Sequence, residues 1–237
     1  MKIALCFYGQ PRFIDNILGF ESHKKHILDR AHVDVFAHFW FDENQSTFAA
    51  SDWSLKHNSY IHPESLKIIS NLYAPKITVV EPPRNTFDYS DLEPLATHLN
   101  YYSPNNYKNL QSHLYSFEKV LSLVENTEEK YDFIIMSRFD NRVVAMPDFD
   151  TLPKDKVFIN NTCGGGNFAD VIVMFDYELG KYFKPYTNFK TILQKVPLFT
   201  AEEFKKHSFL LTQTIDKFSY VNILARVLRG KTDTSGE

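Results

Sequence analysis

Apolar residues come along this chain in short runs separated by longer periodic segments. "KIALCFY", residues 2 to 8, is nearly unbroken apolar sequence and is stopped abruptly by Gly9, Gln10, Pro11 and Arg12. A run of that length without alternation is what a strand covered on both faces carries, so it predicts the first strand of a parallel sheet. Residues 13 to 30 have helix-like spacing, and "HVDVFAHFW" predicts a second strand whose end carries His38, Trp40 and then Asp42. "PESLKIISNLY" predicts a helix with Pro63 in its first turn, and "KITVVEPP" a third strand closed by Pro82 and Pro83.

Residues 84 to 107 lack a clear period and are expected to form a long surface excursion, a kind of segment that is often functional. From Lys108 to about Glu129, Leu110, Leu114, Phe117, Leu121 and Val124 recur at three and four residues, predicting an amphipathic helix of about five turns. The strand "YDFIIMS" follows, then "KVFINN", a glycine-rich turn at Gly164 to Gly166, the strand "DVIVMF" and a helix from about Tyr177. "AEEFKKHSFLLTQTI" and "YVNILARVLRG" are expected to be helical in part.

Strand and helix in alternation predict an α/β fold, a mostly parallel central sheet with helices on both faces. The 237 residues suit a single domain, 1–237, with residues 230–237 read as a flexible tail. Ligands of such sheets bind beyond the carboxyl ends of the strands. Three of those ends are polar here: Gly9, Gln10 and Arg12; Asp42; and Arg138, Asp140 and Asn141 in "YDFIIMSRFDNRV".

Composition narrows the field. With 26 basic against 29 acidic residues, the net charge of −3 argues against a general nucleic-acid binder, which needs a basic face. Two cysteines, Cys6 and Cys163, are too few for a zinc site or a disulfide framework, and free thiols fit a reducing compartment. No apolar run approaches the ~20 residues that span a bilayer, and the N-terminal run is too short for a signal peptide. The expected location is the cytoplasm, with any membrane visit peripheral. Twenty-one Phe and 13 Tyr exceed what a core needs, so some rings are candidates to line a cleft.

The first turn, "YGQPRF", lacks the three spaced glycines of a dinucleotide site, and no Walker loop is present. Asp140, directly behind a buried strand and beside Arg138 and Asn141, is an oxygen donor of the kind Mg²⁺ or Mn²⁺ takes alongside phosphate oxygens. The alternative is that Asp140 pairs with Arg138 or Arg142 within a turn. Glu203 and His207, four residues apart, share a helical face; His207 is a candidate metal or phosphate ligand, and a solvated helix face is the competing reading.

"ALCFYGQPR", "DVFAHFWFD", "YDFIIMSRFDNRV", "NFADVIVMFDYELGKYF" and "EEFKKHSFL" stand in the order, and at roughly the spacing, of segments in a family of GT-A-like glycosyltransferases of bacterial surface-polysaccharide clusters and large viruses. The chain resembles that family over about a quarter of its residues, spread from residue 4 to residue 209. The resemblance implies a GT-A-like fold, a nucleotide-sugar donor across the ends of the first strands, a glycan acceptor, and a divalent metal, Mn²⁺ or Mg²⁺, at an Asp-X-Asp motif. Here the matching residues are Ser137, Arg138, Phe139 and Asp140, so only the last acid is present and Arg138 stands where the first would be.

On this reading Gly9, Gln10, Arg12, Arg138, Asp140 and Asn141 bind the donor, and Asp140 and His207 are the metal candidates. Asp170, after the "CGGGNFA" turn, is the leading base for the acceptor hydroxyl, with Glu203 next. Two other readings stay open: a non-catalytic nucleotide-sugar or carbohydrate-binding module of the same fold, and a nucleotidyltransferase, which usually needs more than one ligating carboxylate. Donor sugar, base, acceptor and stereochemical course depend on loop-built pockets, and oligomeric state has no sequence signal here.

Overall fold

Successive residues of the first strand, β1 (Lys2–Gly9), point into two different cores. Ile3, Leu5 and Phe7 join a layer containing Val35, Ala37, Phe39, Ile69, Tyr73, Phe133 and Ile135, whereas Ala4, Cys6 and Tyr8 join one containing Phe36, Phe117, Val120, Leu121, Ile134 and Met136. A strand with a core on each side has no polar face, which explains its unbroken apolar run. The computed structural model describes residues 1–44, 47–48, 59–160 and 172–228.

After β1 come α1 (Ile17–His23), a π-helical turn over Lys24–Leu28, and β2 (His32–Trp40). The two-residue strands β3 (Thr47–Phe48) and β4 (Ser59–Tyr60) pair with each other. Next are α2 (Ser65–Tyr73), β5 (Ile77–Glu81) and α3 (Pro104–Glu125), then β6 (Phe133–Ser137), β7 (Asn141–Ala145), β8 (Val157–Asn160) and β9 (Ile172–Asp176). The remainder holds α4 (Phe189–Leu193), α5 (Ala201–Leu210), β10 (Phe218–Val221) and β11 (Leu224–Val227). The seven-stranded sheet has the order β10-β8-β9-β6-β1-β2-β5. β1 runs parallel to β2 and β6, β2 to β5, and β8 to β10; β9 is antiparallel to both of its neighbours. The fold is therefore mixed α/β with a mostly parallel sheet. Helix α2 covers one face through Ile69 and Tyr73, and α3 covers the other through Phe117, Val120, Leu121 and Val124. Each fully buried Phe of these layers contributes about 1.5–3 kcal/mol relative to exposure.

The ends of α3 follow from its sequence. Ser103 caps it by accepting from the Asn106 amide at 3.1 Å, and Pro104 sits where a missing N–H costs nothing. The helix thus begins four residues before the expected Lys108 and ends at Glu125 rather than near Glu129. Pro63 lies just outside α2 rather than in its first turn.

Four expectations need correction. Residues 84–107 are not merely a surface excursion: they contain a 3-10 helix, Ser90–Ala96, and bury Phe87, Ala96 and Tyr107 in a third core with Trp40, Tyr186, Phe189 and Phe204. Their aromatic rings supply the apolar area that their aperiodic pattern conceals. "NRVVA" is itself a strand, β7, paired antiparallel with β11 in a second small sheet. "YVNILARV" forms β10's end and β11, not helix, because pairing with β8 and β7 overrides a weak local pattern. The segment after Tyr177 is a 3-10 turn, Tyr177–Tyr182, ahead of the five-residue α4. Among the described residues, no helix is long and apolar enough to cross a membrane.

Candidate active site at the carboxyl rim of the sheet

Because β1 is parallel to β2 and β6, their carboxyl ends share one rim of the sheet. Phe7 pairs with Ser137, and Gly9 with Phe39. The chain leaving β1 turns through Arg12 to Phe13, whose φ of 52° is left-handed, a conformation that costs a non-glycine residue and tends to mark functional turns. The chain leaving β6 turns through Arg138, Phe139 and Asp140 directly into β7.

These two turns meet. Arg138 donates to Asp140 through two parallel bonds, Nε to Oδ1 at 2.8 Å and Nη2 to Oδ2 at 2.6 Å, and Arg12 Nε lies 3.3 Å from Asp140 Oδ2. The Asp140 side chain is 2% exposed, against 16% for Arg138 and 22% for Arg12. One buried carboxylate therefore faces two partly exposed guanidiniums, and these three side chains sum to a formal charge of +1. Bidentate geometry makes the Arg138 contact one of the stronger kinds of ion pair.

The turn is anchored from three sides. Phe139 stacks on Phe7 with ring centroids 4.4 Å apart. The Leu228 amide donates to the Asp140 carbonyl at 2.7 Å, so the segment after β11 holds the turn from outside. Beneath it, Asn141 Nδ2 donates to Ser137 Oγ at 3.2 Å, and His23 bridges Ser137 Oγ (Nε2, 3.4 Å) and the Tyr73 hydroxyl (Nδ1, 3.0 Å). Burial lowers the His23 pKa to about 3, so its ring is neutral there. Asn141 is fully buried and turned toward Ser137.

A second polar chain supports the tip of β1. Gly9 has φ +94°, and its amide donates to Ser116 Oγ, 2.8 Å away on α3. Ser116 Oγ lies 2.7 Å from His38 Nδ1, and His38 Nε2 lies 3.3 Å from Glu81 Oε1. Burial holds the His38 pKa down to about 4 despite the opposing pull of Glu81. A neutral ring satisfies this chain by accepting from Ser116 at Nδ1 and donating from Nε2 to Glu81. Glu81 also accepts from Arg84 and from the Tyr115 hydroxyl at 3.0 Å; burial raises its pKa, but these partners outweigh that and leave it lowered. Trp40 Nε1 donates to the Ser112 carbonyl at 3.3 Å, so both polar residues near the end of β2 are tied to α3.

The structure thus gathers Arg12, Arg138 and Asp140, with Asn141 just below and Gly9 at the neighbouring strand tip. Asp42 accepts from the Asn44 amide at 2.9 Å in the turn after β2. Glu203 and His207 lie on α5, where His207 Nδ1 is 3.2 Å from Glu203 Oε2, and Glu203 is almost buried. Asp170 and the glycines 164 to 166 lie outside the described residues. Sequence reasoning missed Ser116 as a support; its signal is a hydroxyl set in the apolar stripe of α3. It also missed Lys205, which is fully buried with Nζ 5.9 Å from the Tyr8 ring centroid and 3.5 Å from His113 Nε2.

A divalent ion implied by the resemblance does not fit the arrangement around Asp140. Both of its carboxylate oxygens are already taken by guanidinium donors, and a cation placed there would meet two positive charges. Among the described residues, no group of three or more His, Cys, Asp or Glu side chains is placed to hold a metal ion.

Comparison with known protein families gives no match, and neither does comparison with curated proteins. Among solved structures, the chain is similar to the glycosyltransferase GlyE of Streptococcus pneumoniae TIGR4, at 10% identity and a TM-score of 0.42 over 92% of this chain and 44% of that one. It is similar to the galactosyltransferase LgtC, crystallised with donor and acceptor sugar analogues, at 12% identity and a TM-score of 0.46 over 94% and 73%. Mouse xyloside xylosyltransferase 1 aligns at 11% identity and a TM-score of 0.43 over 93% and 85%. The chain therefore spans less than half the length of GlyE.

Proposed function

We propose that this chain is a glycosyltransferase that moves a sugar from a nucleotide-diphosphate donor to a glycan acceptor. The observation that carries the reading is the meeting of Arg12 and Arg138 around Asp140 at the carboxyl rim of a parallel sheet, where α/β folds bind nucleotides. The order of the five sequence segments supports it.

Transfer breaks the bond between sugar C1 and a diphosphate oxygen and forms one between C1 and an acceptor oxygen. Negative charge grows on the departing diphosphate, and guanidiniums fixed in advance stabilise it more in the transition state than in the bound donor. Arg12 and Arg138 take that role, with Gly9 and Gln10 beside the nucleotide at the tip of β1. In an inverting reaction the acceptor hydroxyl gives its proton to a carboxylate, which we assign to Asp170, with Glu203 as the second candidate.

Incubation of the purified protein with a panel of nucleotide sugars and glycan acceptors tests the proposal. Donor hydrolysis or transfer with release of a nucleoside diphosphate is expected. Binding without turnover would assign a non-catalytic module, and pyrophosphate release from a nucleoside triphosphate would assign a nucleotidyltransferase.

A further inference from the structure

We infer that the diphosphate is held at this site by a guanidinium pair in place of a divalent ion, and that Asp140 acts as the buried organiser of that pair rather than as a metal ligand. This rests on the function proposed above. It departs from the ion that the family resemblance implies.

Three observations lead to it. The first is position. The residue standing where an Asp-X-Asp motif has its first acid is Arg138, so the motif has exchanged a negative charge for a positive one. A site that loses a ligating carboxylate and gains a guanidinium has changed by two charges in the direction that weakens cation binding and strengthens anion binding.

The second is the geometry of Asp140. Arg138 grips both of its oxygens in the fork-to-carboxylate arrangement, and Arg12 closes on Oδ2 from the other turn. For Asp140 to coordinate an ion it would have to release these donors inside a site that is nearly closed to water. A magnesium or manganese site needs free carboxylate oxygens as ligands, whereas both oxygens here accept hydrogen bonds from Arg138, with Arg12 close by.

The third is the exposure gradient. The carboxylate is buried while both guanidiniums reach the surface. Among these three side chains the positive groups therefore lie outward and the carboxylate lies behind them. Two planar guanidiniums from separate turns can engage oxygens on adjacent phosphoryl groups, and their charge does not vanish at any physiological pH. The turn anchors at Phe139, Leu228 and Ser137 hold the pair in place before the ligand arrives, which reduces the ordering cost of binding.

The test is calorimetric titration of UDP, GDP, CDP, ADP, dTDP and inorganic pyrophosphate into the full chain, once in EDTA and once with excess Mn²⁺. The inference predicts that at least one nucleoside diphosphate binds in EDTA, with an affinity within about threefold of that in Mn²⁺. Arg138→Gln should weaken that binding about ten- to hundredfold. Arg138→Lys, which keeps the charge but loses the fork, should weaken it by about tenfold. Urea unfolding of each variant separates lost affinity from lost fold, and the wild-type comparison stands even if a variant fails to fold. Binding that appears only with Mn²⁺ would overturn the guanidinium inference and leave the glycosyltransferase reading standing. Failure of every nucleoside diphosphate to bind under either condition would overturn both.

Discussion

Arg138 and Asp140 are two residues apart and face each other through paired bonds of 2.8 and 2.6 Å, at the point where a buried strand emerges from the core. The carboxylate supports the fold of the turn as well as its charge. Asp140→Asn removes the negative charge that both guanidiniums face and offers an N–H group where an acceptor is needed. We expect a loss of stability on the order of 2–4 kcal/mol in urea unfolding, together with loss of nucleotide binding. Wild-type stability in this variant would show that Asp140 does not organise the pair.

Ser116 joins the tip of β1 to His38 on β2. Ser116→Ala removes the acceptor of the Gly9 amide and the partner of His38 Nδ1 while leaving the apolar stripe of α3 intact. The expected cost is roughly 1–3 kcal/mol, with nucleoside diphosphate affinity falling severalfold because Gly9 is no longer held. Calorimetry beside chemical denaturation checks both parts. Reduced stability with unchanged affinity would make the chain purely structural.

Among the described residues, nothing lies within reach of a Cβ at Gly9, so its φ of +94° is the obstacle to a side chain. Gly9→Ala should therefore cost on the order of 1 kcal/mol through backbone strain. A thermal shift of a few degrees in the expected direction would agree, and an unchanged melting temperature would not.

Acid should destabilise the protein in two stages. His38 and His23 have folded pKa values lowered by burial to about 4 and about 3 from an ordinary 6.5. Between those limits the unfolded chain binds more protons than the folded one, so stability falls as pH drops below about 6.5. At about 1.4 kcal/mol per pKa unit, His38 alone accounts for roughly 3 kcal/mol across its window. Asp34 adds a later stage. Burial raises its pKa, but bonds from Lys76, Tyr131 and Lys2 outweigh that and bring it to about 2 from 3.8. Its contribution is present above about 3.8 and lost as pH falls through 2. Urea midpoints from pH 8 to 3 should decline in wild type and decline less steeply between 6.5 and 4 in His38→Gln, where His23 supplies the slope that remains. Parallel profiles for the two would contradict the assignment.

The strands that bring the site together were legible because each is buried on both faces. β1 and β6 carry nearly continuous apolar runs, β2 is buried from Val35 to Trp40, and Arg12 and Arg138, which follow β1 and β6, stand out by contrast. What the pattern hides is pairing. β7 looks like the polar tail of β6 because Asn141 and Arg142 open it, and its strand character comes from β11, more than 80 residues later in the chain. β11 looked helical because four residues are too few to distinguish a period of 2 from one of 3.6. The antiparallel direction of β9 leaves no trace in its apolar run. At the site, the charged residues stand out in the sequence, and pairing of Asp140 with Arg138 is one of the two readings it allows; the distances decide for that pairing over a metal ligand, and sequence does not give distances.

The central claim is that Arg12 and Arg138 jointly receive a pyrophosphate group, and a crystal structure with a nucleoside diphosphate soaked in tests it most directly. We predict phosphate oxygens within hydrogen-bond distance of both guanidiniums, beside Gly9 and above an Asp140 still bonded to Arg138. A nucleotide seated elsewhere on the molecule, or one whose phosphates touch neither arginine, would contradict the account.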